Sequence, residues 1–373
     1  MNGFSTPGGS GKVRVAILFG GQSDEHDVSL RSAQTIMNAL DPDKYEVVPI
    51  GITREGRWLT GADPMAQLTA VSPMFAIGEA SNQGASSSGE LTKVEGGETM
   101  PADFSGDVDV IFLALHGPMG EDGTVQGMLE LAGVPYVGAG VLGSAVAMDK
   151  AIAKMILDQA GLPLSPWLLV YRKDWERDPD QVTAWVKQRI GYPCFTKPAN
   201  MGSSVGISKV HHAEEFPAAM DLAGRFDRRI IVEQSVDARE LEVAVLGNDE
   251  PIASVAGEIV PCNEFYDYDA KYIDDRSELI IPAALEGRTL IQVQEMAIDA
   301  FRALDLSGMA RIDFFLERNT DHIYVNEVNT IPGFTSISMY PLLWQATGMP
   351  LAELVDRLIA LALERYDDRH RRT

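Results

Sequence analysis

Apolar residues occur along the chain first in short unbroken runs and later in runs broken by turn residues. Val13 to Gly21, VRVAILFGG, is an apolar stretch stopped by two glycines, the pattern of a strand buried on both faces of a parallel sheet. Behind it Leu30, Ala33, Ile36, Met37 and Leu40 recur at helical spacing, with Ser29 placed to cap that helix. Tyr45 to Ile52 and Val108 to Gly117 read as further strands, and a capped helix is expected from about Thr124 to Leu131. Strands alternating with helices predict an α/β region with parallel pairing. From Ser144 a helix is expected to run to Ala160, closed by Gly161. After it WLLVYR, YPCFTKP, SVGISKV, RRIIVEQ, LEVAVLG, PIASVAGEIV, ARIDFFLE and HIYVNEVN are short runs between turn residues, which predicts antiparallel strands. An α/β part thus precedes an α+β remainder, with joints near Gly138 and Val232 and no visible repeat.

Composition narrows the function classes. The 373 residues suit two to three domains at about 150 residues each, and 45% apolar with 23% charged residues excludes wholesale disorder. A formal charge of −23 repels polyanions, so non-specific nucleic-acid binding is not expected. Cys194 and Cys262 are the two cysteines, too few for a disulfide framework, which suits the reducing cytoplasm. No apolar run reaches the roughly 18 residues a membrane span needs, and no leader pattern opens the chain. Residues 1–12 read as a disordered tail, in which GGSGK lacks the Ser or Thr that a phosphate loop carries after its lysine. Gly78 to Met100 is rich in Gly, Ser and Glu and reads as a mobile insertion.

The sharpest chemical pattern lies in Arg311-Ile312-Asp313 and Glu327-Val328-Asn329, joined by the polar turn Arg318 to Asp321. Opposed residues of an antiparallel hairpin share one index sum. A single register therefore sets Asp313 against Glu327 and Arg311 against Asn329, all on one face. Facing carboxylates repel unless a proton or cation lies between them, and hard oxygen ligands of this kind suit Mg²⁺. The alternative is a solvated ladder face.

Lys197-Pro198-Ala199-Asn200-Met201-Gly202-Ser203-Ser204-Val205-Gly206 carries small residues that leave backbone amides open to phosphate oxygens, with Lys197 as a point charge; a plain hairpin connection would need the same glycines. Lys150, on the expected Ser144 to Ala160 helix, reads by itself as an exposed surface lysine. Gly138 to Gly143 matches GxGxxG, yet it follows neither the first strand nor precedes a ribose-binding acid, so it reads as a joint rather than an NAD site. Glu25, in GGQSDEHDVS, and His116, in HGPMGEDG, both follow strand ends, where open α/β sheets bind ligands. The stretch Phe265 to Tyr272 is polar and aromatic, and by itself reads as a surface loop.

Together GGQSDEHDVS, HGPMGEDG, MDK, KPANMGSSVG, YDYDAKY, RIDFF and NEVNTIPGFTSIS stand in the order of the D-alanine–D-alanine ligases of the ATP-grasp superfamily, and the chain resembles that family from Val13 to about Leu358. Asp27 stands where the family more often has Glu. The resemblance implies a three-domain ATP-grasp architecture: an N-terminal parallel-sheet domain over 13–138, a central subdomain over 139–232 with the glycine-rich lid, and a C-terminal subdomain over 233–373 with the metal site. It further implies that Lys150 and Lys197 meet ATP phosphates under the loop of Ser203 and Ser204. Glu233 and Glu240 would lie by the adenine and ribose, and Asp313, Glu327 and Asn329 would hold two Mg²⁺ ions, with room for Mn²⁺ instead and for K⁺. Glu25 would take the ammonium of the first D-alanine, oriented by Ser203 and Tyr272 with His116 close by, and Ser338 the carboxylate of the second. Arg311 and the Gly333 amide would hold the oxyanion, and the Lys271/Tyr272 loop would help exclude water.

The implied reaction joins two D-alanines through a D-alanyl phosphate, for peptidoglycan precursor synthesis. Tyr272, in the AKY sequence, points to an amine acceptor rather than D-lactate. Other acceptors such as D-serine, a catalytically silent ATP-grasp module and an NAD oxidoreductase are the competing readings, and a homodimer is implied by analogy.

Overall fold

A computed structural model describes residues 11–61, 63–72, 108–260 and 278–371. The Gly78 to Met100 insertion, Cys262, Lys271 and Tyr272 lie outside the described residues, as do residues 1–10 of the expected tail. The chain divides into two compact units. One comprises Met1–Gly138, Ile331–Pro341 and Met349–Thr373, and the other Ala139–Thr330 and Leu342–Gly348.

The first unit is built on a four-stranded sheet. Strands β1 (Val13–Gly20), β2 (Tyr45–Ile52), β3 (Trp58–Leu59) and β4 (Val110–Leu113) lie in the order β3-β2-β1-β4. β1 runs parallel to both β2 and β4, as the alternation of strand and helix predicts, and β3 closes one edge in the antiparallel sense. The last six residues of β1 are buried, consistent with its unbroken apolar run. At the turn after β1, Gly20 has φ 92°, and a Cβ there would run into the Ile52 carbonyl.

The following helix, His26–Ala39, begins three residues before the position that Ser29 was expected to cap. Ser29 instead lies inside the helix, fully buried. Its hydroxyl accepts from the Gly20 amide at 2.7 Å and donates to the Ala114 carbonyl at 2.5 Å, tying two strand ends together. A buried serine with two backbone groups in reach satisfies them before it caps anything.

The final helix, Leu351–Arg369, also belongs to the first unit. Arg365 stacks over the Tyr136 ring at 4.2 Å and donates to the Tyr136 carbonyl, and the Tyr366 hydroxyl donates to the Gly133 carbonyl at 2.8 Å. Lys44 pairs with Asp356 at 2.6 Å.

The second unit carries two sheets, antiparallel throughout as the sequence pattern predicts. β5 (Trp167–Tyr171), β6 (Cys194–Pro198), β7 (Ser208–Val210) and β8 (Arg229–Gln234) pair in the order β5-β8-β6-β7. β9 (Ala238–Gly247), β10 (Ile252–Val260), β11 (Glu278–Ile280), β12 (Gly308–Glu317) and β13 (Ile323–Asn329) pair in the order β11-β10-β9-β12-β13. Val232 lies within β8, and the chain passes from one sheet to the other between Gln234 and Ala238.

Trp175, Phe216 and Val186 pack with Ile230 and Val232 in one core. In the other, Phe301 and Ala297 of helix Gly287–Ala303 pack with Val243, Ile312 and Phe314. Cys194 is buried, which pushes its thiol up to about 11 and leaves it unreactive. Among the described residues no helix is long and apolar enough to cross a membrane.

The helix expected from Ser144 to Ala160 is two helices, Val141–Met148 and Lys150–Gln159. Asp149 breaks it by adopting an extended conformation and capping the second helix, accepting from the Ala151 and Ile152 amides, and it also pairs with Arg229. The break sets Lys150 at a helix start rather than on a solvated helix face.

Candidate active site

In the second unit the β12/β13 pairing sets Asp313 against Glu327 and Arg311 against Asn329, the register that the index sum predicts. The register shifts directly after Asp313, so that Phe314 faces Val325; the bulge leaves the four polar residues in step and reseats the apolar ones. On the other side of β12, Glu242 of β9 faces Asp313. Three carboxylates therefore stand in a row across three strands.

Arg311 holds this row together. Its Nε lies 2.7 Å from Asp313 Oδ1 and 2.9 Å from Glu242 Oε2, and its Nη2 donates to Asp313 Oδ2 at 2.8 Å. Asn329 Nδ2 donates to the same Oδ2 at 2.9 Å. Burial alone lowers the pKa of the guanidinium, but the Asp313 and Glu242 charges overcome that and raise it well above its ordinary value.

Among the described residues no group of three or more His, Cys, Asp or Glu is arranged to hold a metal ion. The donors on this face are instead two carboxylates and an amide, Asp313, Glu327 and Asn329, an all-oxygen set that fits a hard divalent cation retaining some of its water.

Lys150 Nζ lies 3.8 Å from Glu327 Oε2 and donates to the Met201 carbonyl at 2.8 Å, linking the carboxylate row to the glycine loop. In that loop Ser203 and Ser204 have φ of 50° and 60°, left-handed conformations that cost a side-chain-bearing residue energy and are held by the surrounding turns. The Ser203 hydroxyl is buried with no hydrogen-bond partner among the described residues. Gly206, φ 72°, passes so close to Phe226 and Pro198 that a Cβ would stand 2.5 Å and 2.9 Å from them.

Below the loop Glu233 is 1% exposed and shared by two lysines, Lys197 at 2.8 Å and Lys154 at 2.6 Å, with the Ser165 hydroxyl donating at 2.5 Å. Burial by itself would raise the Glu233 carboxyl, but the two ammonium charges hold it well below the usual carboxylate range. Glu240 lies on β9 opposite Ile259 and Phe315, and its charge helps keep Lys197 raised.

In the first unit Glu25 ends the turn before helix His26–Ala39 and is 9% exposed. Gly117, φ 77°, lets the chain pass beside it: a Cβ there would stand 3.2 Å from Glu25 Oε2. His116 is buried. Its Nδ1 faces the Ile331 carbonyl at 3.1 Å with Glu121 at 3.7 Å, and its Nε2 faces the Ser32 hydroxyl at 3.1 Å. A carbonyl can only accept, so Nδ1 is the donor to Ile331; Ser32 Oγ, which accepts from the Phe334 amide, can donate to a neutral Nε2 or accept from a protonated one. Burial lowers the imidazole pKa, but the Glu121 hydrogen bond and the Glu25 charge outweigh it and raise it. Gly333 and Ser338 sit together in the same unit, where Ser338 Oγ accepts from the Thr335 amide at 3.0 Å and a Cβ on Gly333 would stand 2.7 Å from it.

A raised folded-state pKa means that the His116 interactions stabilise fully below the unfolded value near 6.5 and are lost as pH rises through the folded one. His116→Gln is therefore expected to cost more stability at pH 6 than at pH 9, measured by urea unfolding. An equal loss at both pH values would contradict a protonated His116.

The expected residues thus form two groups. Glu25, His116, Gly333 and Ser338 lie in the first unit, and Lys150, Lys197, Ser203, Ser204, Glu233, Glu240, Arg311, Asp313, Glu327 and Asn329 in the second. Sequence reasoning missed Lys154, Ser165, Glu242, Ser32 and Glu121. Glu242, a lone acid within the apolar run LEVAVLG, carried a signal that could have been read.

Comparison with known proteins agrees with the motif order. Residues 14–139 match the family model described as D-ala D-ala ligase N-terminus and residues 156–360 that described as D-ala D-ala ligase C-terminus. The chain is 49% identical over 367 residues to a D-alanine–D-alanine ligase of Ruminiclostridium cellulolyticum, covering 96% of this chain and 98% of that protein. Among solved structures it is similar to the D-alanine-D-alanine ligase from Coxiella burnetii (TM-score 0.78, 36% identity, 96% of each chain). It is also similar to the VanG D-Ala:D-Ser ligase from Enterococcus faecalis (TM-score 0.77, 34% identity, 94% of this chain and 99% of that one). With both family models matched and half of its residues shared with full-length relatives, the chain belongs to the D-alanine–D-alanine ligases, enzymes of ATP-grasp architecture that join two D-alanines for peptidoglycan precursor synthesis, using ATP and a divalent metal.

Proposed function

We propose that the second unit binds ATP with its divalent cation and that the first binds D-alanine. The observation that carries this reading is the opposed Asp313–Glu327 pair, with Lys150 3.8 Å from Glu327 and bonded to the glycine loop at Met201. A carboxylate is a poor electrophile because the oxide it would expel is too basic. Transfer of the γ-phosphoryl group of ATP to a carboxylate oxygen of one D-alanine releases ADP and gives D-alanyl phosphate. The deprotonated amine of a second D-alanine then attacks the carbonyl carbon, and phosphate departs with the former carboxylate oxygen.

Lys150 and Lys197 meet the phosphates as point charges, and the partnerless Ser203 hydroxyl supports a role as a donor to ligand oxygen, with Ser204 beside it. Glu233 and Glu240 serve the adenine and ribose. Asp313, Glu327 and Asn329 hold two Mg²⁺ ions, replaceable by Mn²⁺, and K⁺ acts as a further cation. When bound, the divalent cation offsets charge on the phosphoryl oxygens. Arg311 and the Gly333 N–H are the proposed donors to the tetrahedral oxyanion.

Glu25 takes the ammonium of the first D-alanine, oriented by Ser203 and Tyr272 with His116 nearby. Ser338 takes the carboxylate of the second, and Lys271 and Tyr272 exclude water from the acyl phosphate. The low cysteine count supports a cytoplasmic enzyme, and a homodimer is its proposed assembly by analogy with its relatives.

Incubated with ATP, Mg²⁺ and D-alanine, the protein is expected to release phosphate only when D-alanine is present and to form the dipeptide. In mixtures with D-serine and D-lactate it is expected to favour D-alanine as acceptor. D-alanine-independent phosphate release at the same rate would overturn the reading, and preferential use of D-serine would redirect it to the acceptor named for the Enterococcus faecalis neighbour.

A further inference from the structure

Lys154 is a buried charge for which the reaction described above has no use. The residue is 2% exposed, one helical turn after Lys150 on the helix Lys150–Gln159, and its ammonium bonds Glu233 Oε1 at 2.6 Å. Ser165 donates to the same oxygen at 2.5 Å, while Lys197, reaching from β6, bonds Oε2 at 2.8 Å.

Each oxygen of the carboxylate is thereby assigned. Oε1 is filled from the helix side and Oε2 is left to Lys197. Desolvating an ammonium is costly, and a lysine kept this deep contributes little to stability over an apolar residue of its size, so the arrangement calls for another account. Electrostatics supplies one. A lone Lys197–Glu233 pair would be neutral and closed, whereas two lysines on one glutamate leave a surplus positive charge. Glu327 and Glu240 also act on Lys197, and Lys150 stands beside Glu327, so three lysines meet three glutamates; without Lys154 this corner would carry a net negative charge and repel an anion.

We propose that Lys154 is a positioning residue for the nucleotide: it occupies Glu233 Oε1, so that Oε2 fixes the Lys197 ammonium in place, and it offsets negative charge that would otherwise face the polyphosphate. This inference rests on the nucleotide reading above and adds to it a residue that touches no substrate. An isolated packing role would weaken the fold without distinguishing the substrates. A positioning role separates them.

The test is the steady-state kinetics of Lys154→Met, Lys154→Arg and Lys197→Met with ATP and D-alanine varied in turn, alongside ADP titration by calorimetry and thermal melting of the full chain. Lys154→Met is expected to raise the KM for ATP and the Kd for ADP about tenfold while the KM for D-alanine stays within twofold, and Lys154→Arg to recover most of the loss. Unchanged ATP and ADP parameters in a folded Lys154→Met, or equal shifts for both substrates, would overturn the proposal. Loss of nucleotide binding in Lys197→Met with none in Lys154→Met would overturn it while leaving the nucleotide site intact, and no loss in either would overturn the site reading as well. If Lys154→Met does not fold, Ser165→Ala decides: a rise in the KM for ATP alone supports the proposal, and no change overturns it.

Discussion

Asp313→Asn is expected to lower kcat about a hundred- to a thousandfold while the protein stays folded, the range that several kcal/mol of phosphoryl-charge stabilisation represents. The Asp313 carboxylate accepts three hydrogen bonds, two from Arg311 and one from Asn329, and stands against Glu327 on one side and Glu242 on the other. An asparagine fills the same space but removes a full negative charge from the face proposed to hold the cation, and it turns an NH₂ group towards donors. Arg311 keeps Glu242, so the guanidinium is not stranded and the structural cost stays at about 1–3 kcal/mol. The decisive measurement is turnover across a Mg²⁺ titration, with circular dichroism and urea unfolding on the same samples. Wild-type activity at limiting Mg²⁺ would remove Asp313 from the cation site.

Arg311→Met is expected to have the larger combined effect. It withdraws the only cation bonded to both Glu242 and Asp313 among the described contacts, and leaves three carboxylates in line across β9, β12 and β13. Breaking a buried pair by removing one partner costs about 3–5 kcal/mol of stability, and loss of an oxyanion donor costs about 2.7–4 kcal/mol in the barrier. The two effects separate by pH. Unbalanced facing carboxylates have raised pKa values, so protonation relieves them and the stability gap to wild type narrows as pH falls from 8 to 5. A gap independent of pH would mean that the row does not carry the repulsion assigned to it. Arg311→Lys, which keeps the charge and loses the forked geometry, is expected to recover stability more than activity.

The sequence exposes those parts of this protein that depend on local rules. The apolar run into Gly20 announces a buried parallel strand, and the single register of the Arg311/Asp313 and Glu327/Asn329 hairpin follows from residue numbers alone. What the numbers cannot convey is the bulge after Asp313, because an extra residue in one strand leaves no mark when both faces of the hairpin are acceptable. Ser29 shows a local rule overruled by tertiary structure: it reads as a cap and serves as a buried tie between Gly20 and Ala114. Asp149 shows the reverse, a cap inside what periodicity treats as one helix, and missing it left Lys150 on a solvated face. Motif order supplied Glu233, but its partners Lys154 and Ser165 are far from it in sequence and carry no pattern of their own. Buried polar clusters of this kind are assembled by tertiary contact and become visible only with the fold.

The pairing of the last helix with Gly133, Tyr136 and Lys44 bears on how the chain matures during synthesis. Residues 139–330 of the second unit are made before Leu351–Arg369, the helix that packs on β4 and on helix His26–Ala39 of the first. Strand β4 and that earlier helix, though made first, gain this cover only after most of the second unit has been synthesised, which leaves their apolar flank open through that interval.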